Sequence, residues 1–191
     1  MCPRTTKQLE ENRIATESKI LEAALNVFSI QGINGASIRK IAREANVSDG
    51  LLYNYFKSKD ELALAVMKSS FQTLDETIVN ESDNSPEENF RRSVSNFIKL
   101  IQTEKIKIRL LAQMGIHAKK NELFNSATKA KYEESVSKFT SIFERMNLSN
   151  PNFEARMLVA SLDGVMFESL LMDQPFDLSE FKESLINKYR Q

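Results

Sequence analysis

Turn-forming residues are too few in this chain for any fold that reverses direction often. Five glycines and four prolines punctuate 191 residues, whereas average usage puts the two together near ~12%. A sandwich, barrel or propeller needs a turn signal every ~8–12 residues, so an all-α chain is expected. The prolines and capping residues also mark where helices begin. Ser85-Pro86-Glu87-Glu88 reads as a capping box with proline at the first helical position. Ser58-Lys59-Asp60-Glu61 and Asp177-Leu178-Ser179-Glu180 repeat that logic without proline, and Asn150-Pro151 reads as an N-cap followed by a preset φ.

Between these signals apolar residues recur every three to four positions, the period of a helix with one buried face. A first helix is expected from about Glu17 to Gln31, burying Ile20, Ala24, Val27 and Phe28 and stopping at Gly32. Others follow over about Lys59–Asn80, Pro86–Gln102, Lys105–His117 and Glu122–Asn147. Pro151–Met172 is apolar over most of its circumference, with small residues at Ala160, Ser161 and Gly164, and Leu178–Arg190 closes the chain. A helix apolar nearly all round is buried on several sides. The last two helices therefore either close the core of one protomer or pack against a second copy, with Ala160, Ser161, Gly164, Val165, Phe181 and Leu185 as the candidate dimer interface.

The lone cysteine, Cys2, excludes an intrachain disulfide, and with one histidine, His117, there is little material for a zinc site or a nucleophile–histidine triad. No catalytic residue, metal site or cofactor is expected. The first residues carry no apolar signal-like region and no uncharged apolar run is long enough to span a bilayer, so a cytoplasmic protein without a membrane partner is expected. The 26 basic and 26 acidic residues cancel. Yet Ile33–Lys59 holds five basic residues (Arg39, Lys40, Arg43, Lys57, Lys59) against two acidic ones (Glu44, Asp49), a local excess of positive charge.

That segment carries the most information. Ser37 caps a short helix, Ile38–Ala45, with Ile41, Ala42 and Ala45 facing inward. Asn46 tolerates the left-handed conformation a tight turn needs. Ser48 then caps a second short helix, Asp49–Phe56. Two short helices joined by three residues form a helix-turn-helix.

The run Ser37-Ile-Arg-Lys-Ile-Ala-Arg-Glu-Ala-Asn-Val-Ser-Asp-Gly-Leu-Leu-Tyr-Asn-Tyr-Phe-Lys-Ser-Lys59, with Ala23-Ala24, Phe28 and Gly32 upstream, resembles the N-terminal domain of TetR-family transcriptional regulators. It departs from the family pattern at Asn46, where glycine is usual. The stretch Leu158–Met166 is similar to the penultimate helix of many members. The resemblance implies an N-terminal three-helix helix-turn-helix domain (residues 14–65, after a flexible tail 1–13). A C-terminal helical ligand-binding and dimerisation domain (66–191) follows, for about nine helices in all.

It implies partners as well: a double-stranded DNA operator, a second copy in a homodimer, and a small-molecule effector of unknown identity. A recognition helix entering the major groove by its N-terminal end turns Asp49, Gly50, Leu51, Tyr53 and Asn54 toward the bases. Arg39 reaches guanine from the first short helix. Ser37, Lys40, Ser48, Tyr55, Lys57 and Lys59 complete the candidate DNA-binding set, with phosphate contact and simple capping or surface roles both open for them.

The helix Lys105–His117 is, by resemblance, the lever between effector and DNA-binding domain. Phe90, Phe97, Met114, His117, Phe124, Phe139, Phe143 and Met157 either line an effector pocket or fill the core. The function expected is a ligand-responsive DNA-binding regulator, a repressor released from a palindromic operator. A same-fold regulator acting through protein–protein contacts or as an activator is the second reading, and a helical enzyme the remote third.

Overall fold

The computed structural model describes residues 6–79, 81, 83–117, 122–172 and 177–189. All regular structure among them is helical: α1 (Thr6–Gly35), α2 (Ile38–Glu44), α3 (Asp49–Tyr55), α4 (Lys59–Asp75), α5 (Pro86–Thr103), α6 (Lys105–His117), α7 (Glu122–Arg145), α8 (Pro151–Leu171) and α9 (Leu178–Lys188). The chain divides into two compact units, Met1–Ser69 and Ser70–Gln191, with the boundary inside α4.

Side-chain caps set most of the helix starts. The hydroxyls of Ser58 and Ser85 accept from the backbone N–H of Glu61 and Glu88, each at 3.1 Å, and Asp177 accepts from Ser179 and Glu180 at 2.8 and 3.2 Å. Each such cap contributes about 1 kcal/mol to its helix. Asn150 does not behave as the sequence predicts. It makes no side-chain cap bond, and α8 starts on the fixed φ of Pro151 alone.

Two ends differ from expectation. The predicted flexible tail is helical from Thr6, where Lys7–Glu11, Arg13–Glu10 and Arg13–Glu17 ion pairs line up at helical spacing. At its other end Gly32 takes φ 68°, the positive region glycine enters without steric cost, and breaks the helical course. The second difference is α4, which ends at Asp75 rather than near Asn80. The Thr77 hydroxyl donates back to the Leu74 carbonyl at 2.6 Å, and the Val79 N–H donates to the Ser93 hydroxyl at 2.7 Å, so the β-branched run 77–79 leaves the helix and folds onto α5.

In the C-terminal unit α5, α7, α8 and α9 share one apolar core. At its centre Phe143 stacks on Tyr189 with ring centroids 4.8 Å apart, and Phe90 meets Phe143 and Tyr189 at 5.5 and 5.2 Å. Each such contact adds about 0.5–1.5 kcal/mol beyond the area buried. Tyr189 Oη donates to Glu154 at 2.8 Å, which satisfies its polar end. Lys131, with only 8% of its surface exposed, pairs with Asp75 and Glu134, and Lys138 pairs with both carboxylates as well. Four charges thus neutralise one another where α7 meets the end of α4.

Candidate nucleic-acid interface

The geometry of α2 and α3 is set by two serines and one asparagine. Ser37 and Ser48 have extended backbones, and their hydroxyls accept from the N–H groups of Lys40 and Leu51 at 3.2 and 3.1 Å. Between the helices Asn46 takes φ 54°. The Asn46 N–H reaches the Arg43 carbonyl at 3.2 Å and the Val47 N–H the Ala42 carbonyl at 2.9 Å. This is the paired bonding that closes a helix through a left-handed residue. Asn147 ends α7 in the same way, with φ 57°. Asparagine, whose short amide tolerates this conformation, therefore substitutes for glycine at both stops.

Burial then sorts the side chains. Ile41, Ala42, Ala45, Leu52 and Phe56 are buried, and the small Ala42 leaves room for the second helix. Asp49, Gly50, Leu51, Tyr53 and Asn54 face solvent. Leu51 and Tyr53 are 38% and 47% exposed, large apolar surface for a seven-residue helix to present. A Cβ built on Gly50 meets nothing within 4 Å, so the fold itself does not require glycine there. Ser37, Arg39, Lys40, Arg43, Ser48 and Lys57 are exposed and Tyr55 is half-buried, its ring 6.5 Å from Phe56.

Lys59 has a structural role that the sequence did not disclose. Its ammonium donates to the carbonyls of Asn34 and Ala36 at 3.2 and 3.0 Å, which fixes the start of α4 to the chain leaving α1. Arg13 lies on the same surface groove as Glu17, Leu51, Asn54 and Tyr55. Its guanidinium is held by Glu10, which raises its pKa.

The aromatic residues expected around a pocket are distributed differently. Phe90, Phe139 and Phe143 are core residues with at most 2% of their surface exposed, because the helix faces carrying them turn toward one another. Met157 is 45% exposed on the outside of α8. Phe124 is buried on α7 away from the cavity lining. The side chains of Met114 and His117 lie outside the described residues.

Of the described members of that set Phe90 lines a groove with Met146, Lys182 and Tyr189, and only Phe97 reaches a second cavity in the C-terminal unit, about 150 Å³ in volume. It is walled by Phe71 and Leu74 of α4, Phe97 of α5, Leu111 of α6, Thr128, Lys131, Tyr132 and Ser135 of α7, and Val159, Asp163, Met166 and Phe167 of α8. Spacings of three and four on α7 and α8 put these residues on one face of each helix. Desolvation raises the Asp163 carboxyl to about 6. Among the described residues no group of three or more His, Cys, Asp or Glu is placed to hold a metal.

The proposed interface residues of the last helices also separate. Ala160 and Gly164 are exposed and Ser161 partly so, on an outer stripe with Phe153, Met157 and Leu171. Val165 and Leu185, with 3% and 9% exposure, belong instead to the protomer's own core, since they lie on the opposite faces of their helices, and Phe181 packs partly against that core.

A short helix fixed by a tight turn to a second one, its inner residues buried and its outer face bare, defines a helix-turn-helix DNA-binding protein. The model of bacterial regulatory proteins of the tetR family matches residues 20–66, the segment just described. Residues 20–66 therefore match the helix-turn-helix segment of that family.

The HTH-type transcriptional regulator HbdR of Aromatoleum sp. (strain CIB) is 40% identical over 72 residues, which is 38% of this chain and 30% of that protein's length. The HTH-type transcriptional regulator BetI of Proteus mirabilis is 25% identical over 172 residues, 87% of this chain and 86% of that protein. A TetR-like transcriptional regulator from Rhodococcus sp. RHA1 shares the fold, with a TM-score of 0.73 at 22% identity over 98% of this chain and 97% of that one. These relatives are regulators, not enzymes. No helix among the described residues is long and apolar enough to cross a membrane.

Proposed function

We propose that the protein is a homodimeric repressor that leaves a palindromic operator when a small molecule occupies its C-terminal unit. The observation that carries this reading is the division of α3 into a buried face, Leu52, and a solvent face made of Asp49, Gly50, Leu51, Tyr53 and Asn54. With its N-terminal end in the major groove, Asn54 is suited to read adenine through two hydrogen bonds, and Asp49 to accept from cytosine N4. Arg39 is suited to guanine O6 and N7. Ser37, Lys40, Ser48, Tyr53, Tyr55 and Lys57 surround that face with donors for phosphates, and bare Gly50 admits the sugar-phosphate backbone closely.

The stripe Phe153, Met157, Ala160, Gly164 and Leu171 supports dimerisation, because exposed apolar side chains interleaved with small residues let a second helix approach. Half-sites on DNA lie about one helical turn, ~34–36 Å, apart. A ligand favouring a different spacing of the two recognition helices loses one half-site and shifts the dimer off its operator. The cavity walled by α4 to α8 is the place for that ligand.

The test is fluorescence anisotropy with duplexes tiled across the region upstream of the protein's own gene. Tight binding to one palindrome, weakened at least tenfold by Tyr53→Ala and by Arg39→Ala singly, supports the reading. Binding by both variants equal to that of the parent protein on every duplex overturns it.

A further inference from the structure

Asp163 is out of place in the cavity. Val159, Met166 and Phe167 on α8 and Phe97 on α5, which line the cavity with it, carry no polar side-chain hydrogen, and the hydroxyls of Thr128, Tyr132 and Ser135 in the α7 wall are not bonded to it. Among the described residues it makes no hydrogen bond and no ion pair, and burial alone is what raises its pKa to about 6. A carboxylate in such a setting costs stability unless something pairs with it. Lys131 also lines the cavity, but its ammonium is already taken by Asp75 and Glu134. A second unmet polar atom lies in the same wall: Thr128 Oγ1 is buried without a hydrogen-bond partner.

We infer that the effector is a small organic monocation, an ammonium on a compact apolar group, whose charge rests on Asp163 and whose apolar part lies against the surrounding rings. This rests on the reading of the cavity as the effector site. Phe71, Phe97, Tyr132 and Phe167 supply aromatic surface that attracts a cation by its face as well as an apolar group by its area. The Thr128 hydroxyl accepts an N–H of the same ammonium. An anion meets the Asp163 charge while the lysine that would welcome it is already neutralised, and a neutral guest offers the carboxylate at most a hydrogen bond and leaves its charge uncompensated. The size is set too: a volume of about 150 Å³ matches that of a cavity known to accept a benzene-sized guest. At neutral pH a carboxyl near 6 is ionised by roughly ten to one, so the charge is present when the cation arrives.

The experiment uses three probes of one size and different charge, benzylammonium, benzyl alcohol and benzoate, titrated calorimetrically at neutral pH into the full-length protein and into Asp163→Asn. Benzylammonium is expected to bind most tightly, and to lose at least tenfold in affinity in Asp163→Asn, a larger loss than benzyl alcohol shows. Equal or tighter binding of benzyl alcohol or benzoate to the parent protein, or undiminished benzylammonium binding to the variant, overturns the cation inference and leaves the cavity as an effector site. Failure of all three probes to bind overturns both.

Discussion

Replacing Asp163 by asparagine is expected to stabilise the protein, and to do so only away from acid. The carboxylate is partly buried on α8 against apolar cavity walls, and desolvation moves its pKa from an ordinary 3.8 to about 6. In the unfolded chain water restores the ordinary value. Between these two pH values the folded state holds a proton that the unfolded state has released. Stability therefore falls as pH rises from 3.8 toward 6 and levels off above that range. The full displacement corresponds to about 3 kcal/mol at neutral pH, reduced to roughly 2 kcal/mol for the water that still reaches the side chain.

The amide of Asp163→Asn has nearly the same shape and never ionises, so it escapes the penalty near pH 8 and matches the protonated acid near pH 4. For a chain of this length the difference is roughly 4–8 °C in Tm. Thermal unfolding followed by far-UV circular dichroism at both pH values reads it directly. A variant no more stable than its parent near pH 8, or more stable by the same margin near pH 4, would mean that the carboxylate is neither desolvated nor unpaired.

Four simpler perturbations separate folding from binding. Gly50→Ala should leave the Tm unchanged or slightly raised, since nothing lies within 4 Å of the added Cβ, while operator affinity by anisotropy drops. Ser48→Ala deletes the bond to the Leu51 N–H and is expected to cost about 1 kcal/mol in urea unfolding. Gly32→Ala forces a Cβ into φ 68° and should cost a further ~1 kcal/mol by the same assay. Gly164→Arg adds bulk to an exposed position with no neighbour within 4 Å of its Cβ. It should preserve the circular dichroism spectrum while light scattering after size-exclusion chromatography reports a monomer in place of a dimer.

What could be read in the sequence is what depends on nearby residues alone. Caps at Ser37, Ser48, Ser58, Ser85 and Asp177 act over three residues, and the left-handed stop at Asn46 over five, so their chemistry is visible without any tertiary structure. The helix-turn-helix follows from those signals. The C-terminal unit is different because its helices are apolar on more than one face, and sequence period cannot say which face meets which neighbour. Phe90 and Phe97 lie seven residues apart on one face of α5 and both join the core, yet of the two only Phe97, about two turns further along the axis, also lines the cavity beside α7 and α8. On α8 the adjacent Gly164 and Val165 part to opposite sides, one exposed and one buried. Asp163 gave no functional signal, since an acid on an apolar helix, like Glu154 and Glu168 on the same one, reads as its solvent edge until the neighbours are known. The helical N-terminus hid for another reason: its support is a chain of exposed ion pairs rather than an apolar stripe.

The bond from Lys59 to two carbonyls has a consequence for how the protein would respond to ionic strength. Each phosphate neutralised on duplex DNA releases condensed counterions and contributes about 0.9 to the exponent with which affinity falls as salt rises. An ammonium that already donates to Asn34 and Ala36 is not free to displace those ions. The exponent per protomer should therefore count the exposed Lys40 and Lys57, and neither Lys59 nor Arg39, which is assigned to a base. Affinity for DNA would then tolerate salt better than the basic composition of the segment suggests, and a larger share of it would have to come from contacts with the bases.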